Sequence, residues 1–391
     1  MAQRSESRDR FWNNPRFLAV VYQALLMTGL VAFGAFLVQN TLANLAKQGI
    51  SSGFGFLSHV ASFDISETLI EYTSASSYAR AFLVAVLNTF FVSAWAIIFS
   101  TIIGFLAGVA RLSSNWLLAK LTWLYVEATR NVPLLLQVFF WYFAVLKPLP
   151  GPRQSLDLFG SIHLCNRGLI FPKPVPENGF EVVIASLLTA VILSFAAVRL
   201  SRRRQDRTGK TFPVIWTCAA LLLGLPSIAF ILMNEPLHFE HPVLKGFNFW
   251  GGMTLSPEFV ALCVALSLYI GAFIAEIVRA GILSVNKGQL EAATSLGLRP
   301  GLSLRLVVIP QALRVIIPPL ASMYLTTVKD SSLAAAIGYP DLVLVFAGTV
   351  LLQTGLAVEV IAMTMGVYLV SSLTISGLMN WYNKITAIKE R

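Results

Sequence analysis

Long apolar runs, free of charge and separated by short polar segments, dominate the chain. A helix rises about 1.5 Å per residue and needs about 20 apolar residues to cross a bilayer core. By that measure Phe17–Val38 is a first span, and Ala81–Ala110, uncharged throughout, is a second that is tilted or projects beyond the bilayer. Val132–Leu146 is short alone, and Leu121–Tyr125 extends it backwards into a third. Val182–Val198, Val214–Met233 and Phe259–Val278 follow. Pro310–Val328 is the seventh, with a kink expected at Pro318 and Pro319, and Val360–Leu378 is the eighth. One apolar piece is left, Leu342–Leu352. It would rise only about 16 Å against a core of about 30 Å, which predicts a re-entrant or interfacial helix. Gln353, Thr354 and Gly355 would turn it into the last span. The run after Arg16 is too long for a signal-peptide core and lacks a small-residue cleavage site, so it is expected to be retained.

Composition agrees with this pattern. Only 12% of the 391 residues are charged, about half the share of soluble domains, and the mean hydropathy is +0.71. The net charge of +10 comes from basic residues that flank apolar runs, which is the pattern of topology signals rather than of a nucleic-acid face. With the N-terminus inside, the inner segments carry Arg4, Arg8, Arg10 and Arg16, then Arg111, Lys120 and Arg130. They continue with the cluster Arg199, Arg202, Arg203, Arg204, Arg207 and Lys210, then Arg279, Lys287, Arg299, Arg305 and Arg314, and end with Lys384, Lys389 and Arg391. That is 21 of the 29 basic residues, which predicts eight spans with both termini in the cytoplasm. A ninth span at Leu342–Leu352 would put the basic C-terminus outside.

The segment between spans six and seven carries the candidate chemistry. Gly288-Gln289-Leu290-Glu291-Ala292-Ala293-Thr294-Ser295-Leu296-Gly297 is followed, nine residues on, by Val307-Val308-Ile309-Pro310. Gln289–Leu296 is a run of good helix formers, with Glu291 expected near the helix N-terminus, where the dipole favours it. Ala292 and Ala293 leave the backbone approachable, Gly297 is suited to a left-handed helix end, and Arg299-Pro300-Gly301 would turn the chain. The pattern resembles the cytoplasmic EAA loop of ABC importer permeases, with Val307 and Ile309 in place of that loop's usual ending. The bland alternative is an ordinary interfacial helix; the Gly and Pro in register favour docking.

The resemblance extends to the flanking spans. Ser267–Ile282, the Glu127-Ala128-Thr129-Arg130-Asn131-Val132-Pro133-Leu134-Leu135-Leu136-Gln137 stretch, and Lys329-Asp330-Ser331-Ser332-Leu333 are similar to segments of the polar amino acid permeases, in the histidine, glutamate, arginine and general L-amino acid branch. The resemblance implies an all-α membrane protein with the type I importer transmembrane fold over 81–382. To this are added an N-terminal tail, span and outer loop over 1–80, an insertion over 148–257 that carries spans four and five, and a tail over 383–391. This layout resembles the larger permease subunit of general L-amino acid importers. Implied partners are an ABC ATP-binding subunit, a second homologous permease subunit and a periplasmic amino acid-binding protein, in the lipid of the bacterial inner membrane.

Other features carry less. Thr208-Gly209-Lys210-Thr211 ends like a phosphate-binding loop, but Arg204 stands where its first Gly should be and no strand precedes it. The chain is therefore expected to have no ATP site, no catalytic residues and no cofactor. His59, His163, His238 and His241 fall in predicted outer loops, and the three cysteines are scattered, so no metal site is expected. Glu276 and Arg279, and likewise Glu127 and Arg130, stand three apart and are expected to pair with each other or with the membrane interface. Lys329, Asp330, Ser331 and Ser332 offer the cation, anion and hydroxyls that a zwitterionic amino acid needs; equally, Lys329 and Asp330 would neutralise each other. A gradient-driven secondary transporter would show an internal repeat and midplane carboxylates, neither of which is evident. The docking loop also argues against a scaffold subunit.

Overall fold

The computed structural model of the chain describes residues 15–47, 53–158, 160–209 and 212–386. The tail residues Arg4, Arg8, Arg10, Lys389 and Arg391, and Lys210, lie outside them. The long helices are α1 (Pro15–Lys47), α2 (Tyr78–Ala110), α3 (Trp116–Asn131), α4 (Leu134–Leu146), α5 (Phe180–Thr208) and α6 (Val214–Leu232), then α7 (Pro257–Leu283). A short α8 (Lys287–Ser295) leads to α9 (Pro300–Ile337), α10 (Val343–Thr354) and α11 (Ala357–Thr386). Seven of these are long and apolar enough to cross a membrane, and the bent pair α3–α4 makes an eighth.

The third span is not a backward extension of Val132–Leu146, as its apolar pattern suggested. α3 and α4 meet at 107°. The cause is local. Pro133 has no N–H to donate and forces Val132 into extended backbone (φ −101°, ψ 127°). The carbonyls freed at the break are taken up by Gln137, whose Nε2 donates to Thr129 O at 2.8 Å and Val132 O at 2.9 Å. The seventh span begins ten residues earlier than expected. Arg299-Pro300-Gly301 opens it rather than turning away from it, with Pro300 in the first turn. Pro310 lies inside α9, just after a π-turn at Leu304–Val308 that absorbs its missing donor.

The insertion is richer than two spans. It adds eight strands of three or four residues to the expected all-helical plan: β1 (Leu156–Leu158), β2 (Ile162–Cys165), β3 (Gly168–Phe171), β4 (Lys173–Pro176), β5 (Leu237–Glu240), β6 (Val243–Lys245), β7 (Asn248–Trp250) and β8 (Met253–Leu255). They pair antiparallel as β1-β2-β3-β8, β4-β5 and β6-β7. β8 pairs with β3, Leu255 opposite Leu169, and so returns the chain to α7. There Ser256 accepts the Phe259 N–H at 3.0 Å and Pro257 fills the first helical position.

The described residues fall into two compact units. In the first, residues 1–93 and 317–391, the buried core joins Phe56, Tyr78, Val84, Leu342, Phe346, Val350 and Val360. α10 is seated by polar contacts as well: Thr89 Oγ1 accepts the Leu342 N–H at 2.9 Å, and Asn88 Nδ2 donates to Pro340 O at 3.0 Å. Gly355, left-handed at φ +68°, turns it into α11.

In the second unit, residues 94–316, α7 is the central strut, and more of it is buried than of any other span. α2 lies against it through Gly104 and Gly108. A Cβ on Gly108 would stand 2.7 Å from Ala275 O, and one on Gly104 3.0 Å from Gly271 O. Backbones this close are how membrane helices gain contact without a hydrophobic drive. Tyr125 of α3 donates to Leu268 O at 2.7 Å, and Tyr142 of α4 meets Glu258 at 2.5 Å.

Candidate functional site

The loop between α7 and α9 folds as the sequence predicts, with two corrections. Asn286 caps α8 by accepting the Gly288 N–H at 2.8 Å. Gly297 is left-handed (φ +76°), and the Leu298 N–H returns to Ala293 O at 3.1 Å, closing a helix end that only glycine adopts without strain. Because the helix starts at Lys287, Glu291 lies past its first turn, so the expected dipole contribution does not apply. Only Ala293 of the Ala292–Ala293 pair is buried; Ala292 is exposed. The rest of α8 stands free: Gln289 and Glu291 are exposed, Leu290 is 46% exposed, and Leu296 just past the helix is 82% exposed. Leu290 on the helix and Leu296 at its C-terminal cap are exposed apolar side chains, about 120° apart around the axis rather than on one stripe. Pro310, expected with the same loop, lies within α9.

Behind α8, charges tie the neighbouring helices together. Glu276 of α7 binds Arg279 one turn on, with Oε1 2.5 Å from Nη2, and also Arg111 at the end of α2. Arg111 is 10% exposed on its side chain, so this is a partly buried three-member cluster. Spacing along one helix indicated the first partner; the second joins residues 165 apart and had no local signal. Of the two alternatives expected for Glu127 and Arg130, the mutual ion pair is not found among the described residues. Arg130 lies over the Phe273 ring, 5.0 Å from its centre.

The candidate substrate residues lie in the first unit. Lys329 is exposed, Asp330 is half-buried and Ser331 is buried. The Ser331 and Ser332 hydroxyls donate to Val328 O at 2.8 Å and Lys329 O at 2.7 Å, so their hydrogens are committed. No ion pair joins Lys329 and Asp330 among the described residues. Glu359, which flanks the same end, is nearly buried and accepts the Gly53 N–H at 2.7 Å.

Residues 100–386, covering α8, nearly all of the second unit and the 317–386 part of the first, match the family of binding-protein-dependent transport system inner membrane components. The chain belongs to that family. This permease is 53% identical over 381 residues to the putative amino-acid ABC transporter permease protein YhdX of Escherichia coli K12, covering 97% of this chain and 96% of the relative. It is 49% identical over 378 residues to the general L-amino acid transport system permease protein AapQ of Rhizobium johnstonii, covering 97% and 94%. It is 39% identical over 407 residues to the glutamate/glutamine/aspartate/asparagine transport system permease protein BztB of Rhodobacter capsulatus, covering 96% and 95%. The alignments run through the insertion and the N-terminal span. The type I importer fold expected from the sequence rests on this membership. As an ABC permease the chain is a multi-pass inner-membrane subunit and not an enzyme; ATP is hydrolysed by a separate subunit, and a substrate-binding protein delivers the cargo.

Proposed function

We propose that this permease carries L-amino acids inward, coupled to its ATP-binding subunit through α8 and working beside a second, homologous permease subunit. The observation that supports the coupling role is an exposed helix, with Leu290 on it and Leu296 just past it, fixed at both ends by Asn286 and by Gly297. A short rigid helix held between two long spans transmits a push; a floppy loop would absorb it. Closure of the ATPase pair would drag α7 and α9, shifting the permease between inward- and outward-facing states by the difference in ATP affinity between them and no more.

Amino acid cargo is supported by the relatives' names, which span general L-amino acids to acidic residues and their amides. Lys329, Asp330, Ser331 and Ser332 are proposed to line the path, with Lys329 toward the carboxylate and the acceptor oxygens of Asp330 and Ser331 toward the ammonium. The second permease is supported by the 148–257 insertion, an elaboration expected of the larger member of an unequal pair. The deciding experiment is ATPase activity in proteoliposomes holding the purified complex, with binding protein loaded in turn with a panel of amino acids. Stimulation by some amino acids and not by sugars or peptides is expected; a flat panel would refute the amino acid reading. A transport-competent complex with this chain as its sole permease would rule out the second subunit.

A further inference from the structure

α5 is 29 residues long, about 43 Å of helix, against a hydrocarbon core of about 30 Å. Its first nineteen residues, Phe180–Val198, contain one charge, Glu181 in the first turn, and suffice for the core. The excess lies at the other end, in Arg199–Thr208. That stretch carries Arg199, Arg202, Arg203, Arg204 and Arg207 against a single acid, Asp206. Arg199, Arg203 and Arg207 recur every four residues and share one face. They and Arg204 are exposed, and none is in an ion pair among the described residues. Setting the orientation of a span does not require so regular a row.

Two further observations show what faces it. The apolar shafts of α5 and α6 pack on each other but are otherwise almost unburied, with Ile192, Phe195 and Leu200 each more than 60% exposed. Where the chain re-enters as α6, Phe212 is 41% and Trp216 77% exposed. Exposed apolar shafts capped by aromatics at the bilayer boundary are surfaces made for lipid. Cys218 Sγ lies 3.8 Å from Ser194 O, a register that puts Arg199 about one turn beyond the level of Trp216, with Arg203 and Arg207 continuing outward. A guanidinium row that begins at this boundary fits the phosphate of a headgroup, which it holds by paired hydrogen bonds.

We propose that Arg199, Arg203 and Arg207, with Trp216 at the foot of α6, bind the headgroups of anionic phospholipids whose acyl chains lie along α5 and α6. The insertion hairpin is thereby held at a fixed depth. The site requires only that α5 and α6 span the bilayer and does not depend on the transport reading.

Trp216 supplies the readout. In the purified complex reconstituted in nanodiscs, the fluorescence lost in Trp216→Phe isolates its signal from the other tryptophans. Spin-labelled phosphatidylglycerol is expected to quench that signal about fivefold more effectively than spin-labelled phosphatidylcholine with the same acyl chains. The preference should fall with added salt. Replacement of all three arginines by Gln should equalise the two lipids, while Arg→Lys at the same positions should keep part of the preference. If the Gln triple does not reach the membrane, Arg203→Gln alone should still halve it. Equal quenching by both lipids in the wild-type complex, as when the ATP-binding subunit covers the arginines instead, would overturn the proposal. So would a preference unchanged in the Gln variants.

Discussion

Gly297 concentrates the coupling argument at one backbone conformation. Space is not the issue, since a Cβ there would meet nothing within 4 Å. The φ of +76° is the constraint, costing an L-residue about 1–2 kcal/mol and more for a β-branched one. The expected order of uptake is therefore Gly, then Asn, then Ala, then Val, with Gly297→Val at least tenfold down at a normal membrane level. Uptake assays beside immunoblots check this; Val working as well as Gly would detach α8 from coupling. Glu276 makes a different kind of single-residue test. Glu276→Gln keeps one acceptor oxygen but removes the negative charge that Arg111 and Arg279 share, leaving two guanidiniums near each other uncompensated. A loss of about 1–3 kcal/mol is expected, read as a lower melting temperature in detergent. Removing Arg111 in the same protein should restore part of it. Strict additivity of the two substitutions would mean that the contact contributes nothing.

At the level of elements, the spans were legible in the sequence because a bilayer imposes one dominant rule, a run of apolar residues of set length. The bend in the third span was not. Pro133 was visible, but whether a proline kinks a helix or breaks it depends on what takes the freed carbonyls. That role falls to Gln137, four residues on. Gln137→Leu is thus expected to leave both carbonyls without donors and lower the melting temperature by several degrees, whereas Gln137→Asn should recover little because its amide is one carbon short. The strands of the insertion escaped for another reason. At three or four residues they are too short to show alternation, and their visible trace is a left-handed glycine at some of the turns, such as Gly160 between β1 and β2 and Gly246, at φ +67°, between β6 and β7. The loop that carries α8 was readable because its helix and caps are built from adjacent residues. The Arg111–Glu276 contact was not, being made by tertiary packing alone.

For the molecule as a whole, orientation follows from charge. The Arg199–Arg207 stretch is expected on the cytoplasmic side, so a phosphatase reporter fused at Gln205, active only in the periplasm, should be silent. A cytoplasm-dependent reporter at the same site should be active. The opposite pair of results would invert every span assigned here. It would also turn α8 away from the ATP-binding subunit, so this measurement bears on the coupling proposal as directly as any substitution within the loop.

α1 stands apart from the rest. Its apolar window buries no residue among those described, although its mean hydropathy of 1.9 is ample for insertion. During synthesis this helix leaves the ribosome ahead of the later spans described here and enters the bilayer before they exist to receive it. A helix that needs no neighbour is suited to that task. The same independence makes it exchangeable: an unrelated apolar helix of equal length and flanking charge, put in place of Pro15–Lys47, should still deliver an active transporter. If the exchange delivers the chain to the membrane but silences it, α1 is the face on which another subunit of the complex rests.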